Sequence, residues 1–265
     1  MPRRDVDGLP MVAVTGGKGG VGATTVAVNL AATLARRGPR VVLVDAARPR
    51  GDLASVAGID DSLTRSLDDV LAGRYAAADA LMPGPAGTLV LANGWAADSS
   101  SDWSAATEDR LLDELGKLGD WADVLVVDAG SGLTPWTGRL WQRAQLALVV
   151  TTADDVAVMD TYAMIKLGTA GLTGDTDVRV LANRCDSERM AGEVCGRIGK
   201  VSRRFLGRTV AQLPTLPYQD ANDGDASDGL RVWRVARSPY ARSVSQLGSA
   251  VNAALAGRRW IAAAA

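Results

Sequence analysis

Histidine is missing altogether from this 265-residue chain. That absence excludes Ser-His-Asp triads, histidine-ligated zinc and imidazole acid–base catalysis. Cysteine is scarce: Cys185 and Cys195 are the only two. They lack metal-ligand spacing and the density of a disulfide scaffold, so both are expected to be reduced core thiols of a cytoplasmic protein. An excess of one charge is missing as well. The 29 Lys and Arg residues balance 30 Asp and Glu, and composition gives no argument for a nucleic-acid partner. No apolar run reaches the roughly 18 residues of a transmembrane helix. Residues 1–10 are polar and carry no apolar core of a leader, so no secretory signal is expected.

What is present is a regular alternation of short apolar runs with longer amphipathic stretches. Met11–Val14, Val41–Val44, Thr88–Leu91, Val124–Val127, Leu146–Val150 and Val178–Leu181 read as strands. Their apolarity is continuous rather than alternating, which means strands covered on both faces, as in a parallel sheet between helical layers. Helices are expected over Thr24–Arg37, ended by Gly38-Pro39, and over Glu108–Leu118, Asp154–Ala170, Asp186–Leu206 and Pro239–Ala256. The fourth would bury Met190, Val194, Ile198, Val201 and Phe205, and the last Tyr240, Val244, Leu247, Val251 and Leu255. The alternation never breaks, so a single doubly wound, mostly parallel α/β domain is expected over 1–265, with 1–10 and 257–265 flexible. Loops fall at 83–87, 98–102 and 220–228. The last is acid-rich but lacks the glycine and closing Glu of a calcium loop and reads as a solvated turn.

Directly after the first strand stands Thr15-Gly16-Gly17-Lys18-Gly19-Gly20-Val21-Gly22-Ala23-Thr24-Thr25. Strand, glycine loop and helix together turn backbone N–H groups and the positive end of a helix toward one point, where phosphate is the natural ligand. Two ligand classes fit. Gly17, Gly19 and Gly22 satisfy the dinucleotide pattern G-x-G-x-x-G, with Asp45 where a ribose-binding acid belongs. Gly17 to Thr24 also fits the triphosphate pattern G-x-x-x-x-G-K-[ST], except that Ala23 stands at the lysine. Thr24 at the Mg²⁺ hydroxyl position, Lys18 inside the loop and Asp128 closing the strand Val124–Val127 favour the triphosphate. Asp123, at the opposite end of that strand, reads as a solvated cap. The turn Asp128-Ala129-Gly130-Ser131-Gly132 suits the sensing of a γ-phosphate.

The loop Lys18–Thr25 resembles the deviant Walker A loop of the MinD/ParA group of P-loop ATPases, marked by its early lysine, here Lys18. Later segments resemble the FlhG (FleN/YlxH) branch, whose members control flagellar number and placement. Asp128–Leu133 is similar to its D-T-G-A-G-I turn, and Thr151–Lys166 to T-x-P-E-x-T-A-x-x-D-A-Y-A-x-x-K. Leu181–Arg184 resembles the strand whose Asn reads adenine, and Leu216–Asp220 the turn that follows. Val44–Leu53 is similar to a segment of the CpaE/TadZ pilus proteins, a near rival. The resemblance implies a P-loop NTPase fold, with ATP and Mg²⁺ as ligands. It places Gly17, Gly19, Gly20, Val21, Gly22 and Ala23 around the phosphates, Thr24 on Mg²⁺ and Thr25 on the α-phosphate. Asp45 and Asp128 would stand in the magnesium shell, and Asn183 would read adenine beside Pro217. Lys18 would reach the partner's nucleotide in an ATP-dependent homodimer, itself served by a regulatory partner of a flagellar or pilus system.

Two departures bear on activity. Ala23 removes a charge-assisted contact to the β/γ-phosphates, about 1.5–3 kcal/mol or about 10–150-fold in affinity. Ala47 replaces the family's water-positioning carboxylate, which should slow in-line attack; Asp52 is the nearest spare acid. Nucleotide binding with weak or absent hydrolysis is therefore expected. The cations Arg197, Lys200, Arg203, Arg204 and Arg208 read as a solvated helix face rather than a nucleic-acid site. The tail Arg258–Ile261 is too short for more than weak membrane association. Trp136 and Trp141 are expected in the core.

Overall fold

The apolar runs do form strands, and the glycine-marked stretches between them do form helices. In the computed structural model, which describes residues 9–48, 51–59, 65–93, 103–170, 176–218 and 238–256, the chain begins with β1 (Met11–Gly16), α1 (Ala23–Ala35), β2 (Val41–Asp45), α2 (Leu53–Ala57) and α3 (Leu67–Leu71). It continues through β3 (Met82–Pro83), β4 (Leu89–Leu91), α4 (Ala105–Gly116), β5 (Val124–Ser131) and α5 (Pro135–Arg143). Then come β6 (Leu146–Thr151), α6 (Asp155–Ala170), β7 (Asp177–Ala182), α7 (Glu188–Leu206), β8 (Ala211–Gln212) and α8 (Pro239–Ala256). The strands lie in the order β3-β4-β2-β5-β1-β6-β7-β8, parallel throughout except for β3 against β4.

Continuous apolarity has the cause that the sequence suggests. Val12 and Val14 of β1 pack with α1 and α8 on one face, and Met11 and Ala13 pack with α4, α5 and α6 on the other. Every residue of β1, β2 and β6 is buried. Arg40 and Asp123 close the far end of the sheet: the Arg40 guanidinium is 2.9 Å from the Asp123 carboxylate, which also accepts the Arg40 amide. Asp123 is thus an ion-pair partner, not simply a solvated cap.

Several elements differ from the sequence reading. α2, α3 and α5 are too short to show a helical period, and the two-residue strands β3 and β8 carry no alternation. The segment 83–87, read as loop, supplies the end of β3 and one 3₁₀ turn. On α7 the buried stripe is Ala191, Val194, Cys195, Ile198 and Ser202, while Phe205 is 66% exposed. Small residues let that face sit close to the sheet, so the bulky stripe the sequence suggests is turned partly outward. The α8 stripe is buried as read, and so are both cysteines, with their thiols pushed up by desolvation, Cys195 to about 12. Trp136 and Trp141 are core residues. The acid-rich segment 220–228 and the tail 258–261 lie outside the described residues. Among those described, no helix is long and apolar enough to cross a membrane.

Candidate functional site

Strand order decides between the two ligand classes that the loop allows. A dinucleotide fold places β1 beside β2. Here β5 is inserted between them, so β1 is flanked by β5 and β6. The carboxylate-bearing end of β5 therefore lies directly beside the glycine loop. Asp128 is in register with Val14 of β1 and with Asp45 of β2, which sets the two carboxylates on adjacent strands about 4.8 Å apart along the sheet.

The loop from Gly16 to Gly22 leaves β1 and enters α1 without any side-chain cap, whereas α4, α5 and α7 are capped by Ser104, Thr134 and Ser187. The first amides of α1 are thus left for something other than the protein's own side chains. Gly20 (φ 80°) and Gly22 (φ 88°) hold left-handed conformations that glycine takes without strain. Gly17 must be glycine for another reason: a Cβ there would come within 2.9 Å of the Thr161 Cα on α6. Ala23 is buried against the α1 side of the core and offers no charge.

Asp128 is fully buried. Its Oδ1 accepts the Gly130 amide at 3.0 Å, and its Oδ2 has no hydrogen-bond partner. Burial pushes its carboxyl up to about 6, against the opposing pull of the Thr24 hydroxyl and the Gly130 amide. Asp45 goes further, to about 8, from burial first and the Asp128 charge second, although the Ala47 and Leu53 amides hold its oxygens at 3.3 Å. Asp52, exposed at the start of α2, raises both carboxyls. Among the described residues no three acidic or thiol side chains converge. A divalent cation here would rest on Thr24, one carboxylate, phosphate oxygens and water, the usual poverty of a Mg²⁺ site. The orphaned Asp128 Oδ2 beside Thr24 fits that arrangement.

Asn183 also comes to the loop. Asn183 follows β7, is 3% exposed and donates from Nδ2 to the Val21 carbonyl at 2.8 Å. Pro217 is bridged to Cys185 just beyond it. Lys18 does not point into the cradle: its Nζ is 2.8 Å from Asp154 at the start of α6, and this pairing holds the Asp154 carboxyl well below the usual range. Ala47 lies against Gly130, so a side chain at position 47 sits beside the end of β5, which runs on through the residues 128–131 read as a turn.

Four residues at the site escape the sequence reading as contributors. Thr161 presses on Gly17 with a buried, unpartnered hydroxyl. Gly51 lies so close over Asp45 that any Cβ would strike both carboxylate oxygens. Arg184 donates to the Gly20 carbonyl at 3.0 Å. The Trp136 indole donates to the Ala46 carbonyl at 3.0 Å, tying the exit of β2 to the start of α5. Gly51, Thr161 and Arg184 each lie in a segment that resembles a related protein, but nothing there marks them as site residues.

Residues 12–230 match the family model for the CobQ/CobB/MinD/ParA nucleotide binding domain. The antiactivator FleN of Pseudomonas aeruginosa is 34% identical over 213 residues, covering 80% of this chain and 75% of FleN. The flagellum site-determining protein YlxH of Helicobacter pylori is 29% identical over 203 residues, 74% of this chain and 68% of YlxH. Among solved structures, the septum site-determining protein MinD of Pyrococcus horikoshii in complex with Mg-ADP superposes with a TM-score of 0.72 at 24% identity, over 94% of this chain and 98% of that one. The sheet order, the uncapped glycine loop and these matches agree, and the chain belongs to the CobQ/CobB/MinD/ParA nucleotide-binding family.

Proposed function

We propose that this protein is an ATP- and Mg²⁺-binding switch of the FlhG type, which sets the number or position of a surface machine, the flagellum before others. The observation that carries the reading is the buried Asp128 carboxylate, which the Thr24 hydroxyl bonds while its Oδ2 is left without a partner, on the strand next to an uncapped glycine loop. The likeness to FleN and YlxH supports the flagellar assignment. The Gly17 amide is already bonded to the Val150 carbonyl at 3.0 Å, so Gly17 serves the cradle by its close approach to α6. The amides of Lys18 to Ala23 would hold the phosphates, Thr25 the α-phosphate, and Thr24 with Asp128 and Asp45 the hydrated cation. Asn183, flanked by Pro217, would read the adenine. Lys18 would exchange Asp154 for the nucleotide of a second subunit, so that ATP joins a homodimer displaying a surface for a regulatory protein. Nucleic acid has no part in this reading, and any membrane contact is weak and peripheral at the inner face of the cell membrane.

Turnover should be slow. Ala23 leaves the β/γ-phosphates short of a cation, and Ala47 leaves the attacking water without its carboxylate. The same two residues favour a second reading, a pseudo-ATPase scaffold whose partner surface matters more than its nucleotide, in flagellar or CpaE/TadZ-like pilus positioning. Calorimetric titration with Mg²⁺-ATP and a non-hydrolysable analogue, run beside a size measurement and a phosphate-release assay, separates the cases. Binding, dimerisation and slow release are expected. Binding without any release or change of size favours the scaffold. Tight binding of NAD with none of ATP overturns both.

A further inference from the structure

We propose that Arg184 is a positioning residue for nucleotide binding: with Asn183 it grips two successive carbonyls on the outer side of the glycine loop and so aims the loop's amides inward, in a loop that carries Ala23 where a phosphate-binding lysine would stand. The proposal rests on the nucleotide reading above. Its geometry begins with two hydrogen bonds. Asn183 Nδ2 donates to the Val21 carbonyl at 2.8 Å, and Arg184 Nη1 donates to the Gly20 carbonyl at 3.0 Å. In a trans peptide the carbonyl and the following N–H point in opposite directions. Holding the Gly20 and Val21 carbonyls outward therefore fixes the Val21 and Gly22 amides on the opposite, inner side. Such amides, set before the ligand arrives, are what a phosphate needs from the loop.

Neighbouring side chains of an extended strand face opposite ways and could not both reach one loop. Arg184 breaks that alternation: its φ is 55°, in the left-handed region that a long side chain seldom adopts. Strain of this kind persists only where the surroundings hold it. Here they do. The Asn183 amide is bonded to the Thr151 carbonyl at 2.8 Å, the Cys185 amide to the Leu216 carbonyl at 3.2 Å, and Cys185 is bridged to Pro217. The loop is shaped to match, since a Cβ on Gly22 would come within 2.6 Å of Asn183 Nδ2. Lysine at position 23 would order such a loop by binding the phosphates themselves; Ala23 does nothing of the sort. The Gly17 amide on the Val150 carbonyl and Lys18 on Asp154 anchor the start of the loop, and the grip from the residues after β7 anchors its Gly20–Val21 stretch.

The test compares the wild type with Arg184→Gln, Arg184→Lys and Arg184→Gly in calorimetric titrations with Mg²⁺-ATP, Mg²⁺-GTP and Mg²⁺-pyrophosphate, with apo melting temperatures alongside. Arg184→Gln should lose about tenfold or more for all three ligands, because the guanidinium holds the loop and not the base. The ATP-to-GTP ratio should stay as in the wild type. Arg184→Lys, which keeps a charged donor, should recover part of the loss. Arg184→Gly relieves the φ strain, so it should melt no lower than the wild type and yet bind as poorly as the Gln variant. Wild-type affinity in Arg184→Gln overturns the proposal, and so does a loss confined to ATP, which would make Arg184 a base contact. A wild type that binds none of the three ligands overturns the nucleotide reading itself, a result distinct from an idle grip.

Discussion

At the scale of single residues, the site is governed by what its carboxylates are denied. Asp45 is pushed up to about 8 because it is buried, faces Asp128 and lies under the backbone of Gly51. The native protein therefore keeps a proton that the unfolded chain gives up at the ordinary carboxylate value near 4. A group with a raised folded value stabilises the fold below its unfolded value, and that support is lost as pH rises through the folded value. For nucleotide-free protein, stability should fall between about pH 4 and 8 by as much as about 1.4 kcal/mol per pH unit from this one proton. Asp45→Asn should flatten that slope, a result that urea titrations at pH 5, 6.5 and 8 would check. An unchanged slope would mean that Asp45 is ionised in the folded protein. The same burial makes cation binding proton-coupled, since Mg²⁺ must meet the charged form of Asp128.

The glycine loop was legible in the sequence because its chemistry belongs to the backbone: the pattern of glycines itself specifies where amides gather. The grip of Arg184 was not, because it depends on a left-handed φ that no residue type announces. Nor was the cover over Asp45, which depends on how closely Gly51 approaches. Lys18 shows the opposite limit. Its place in the loop was plain, but its partner in the single chain, Asp154, is 136 residues away.

At the scale of elements, the segments that follow β2 and β5 are joined before any ligand binds. The Ala46 amide is bonded to the Asp128 carbonyl at 2.9 Å, and the Ala46 carbonyl accepts the Trp136 indole. Trp103 meets Trp136 edge to face with ring centroids 5.3 Å apart, and the Arg48 guanidinium lies 4.3 Å over the Trp103 ring. These contacts connect Asp128 to the start of α5 and to the approach of α4. Trp136→Phe keeps an aromatic ring but loses the indole N–H and the fused ring that carries it, leaving the buried Ala46 carbonyl unpaired, which costs about 1–3 kcal/mol. Urea unfolding should show a lower midpoint with an unchanged slope, and an unshifted midpoint would contradict the linkage. Element identity was legible wherever period and length were sufficient, as in α6 and α8. On α7 the period was right and the face was not, because Ala191 and Ser202 pack where bulkier residues were expected to. α2 and α3, of five residues each, have no period to read.

At the scale of the whole molecule, the proposed homodimer requires Lys18 to leave Asp154 for a second subunit. Lys18 and Asp154 are both partly exposed, 35% and 47%, so their ion pair is weak enough to exchange. If Lys18 crosses to a second nucleotide, Lys18→Ala should abolish Mg²⁺-ATP-dependent dimerisation in analytical ultracentrifugation. Mg²⁺-ADP affinity of the single chain should change less than about threefold, because in the single chain Lys18 does not face the cradle. Dimerisation that persists in Lys18→Ala contradicts the crossing. Ala23→Lys supplies the complementary gain: Mg²⁺-ATP affinity should rise by about 10–150-fold, and an unchanged affinity would mean that the site does not hold phosphates as proposed.

The measurement that bears most directly on all of this is a crystal structure grown with Mg²⁺ and a non-hydrolysable ATP analogue. Phosphate density against the amides of Lys18 to Thr25, with a cation between Thr24 and Asp128, is the expected result. An empty loop at saturating analogue, or a nicotinamide coenzyme bound there in its place, would contradict it.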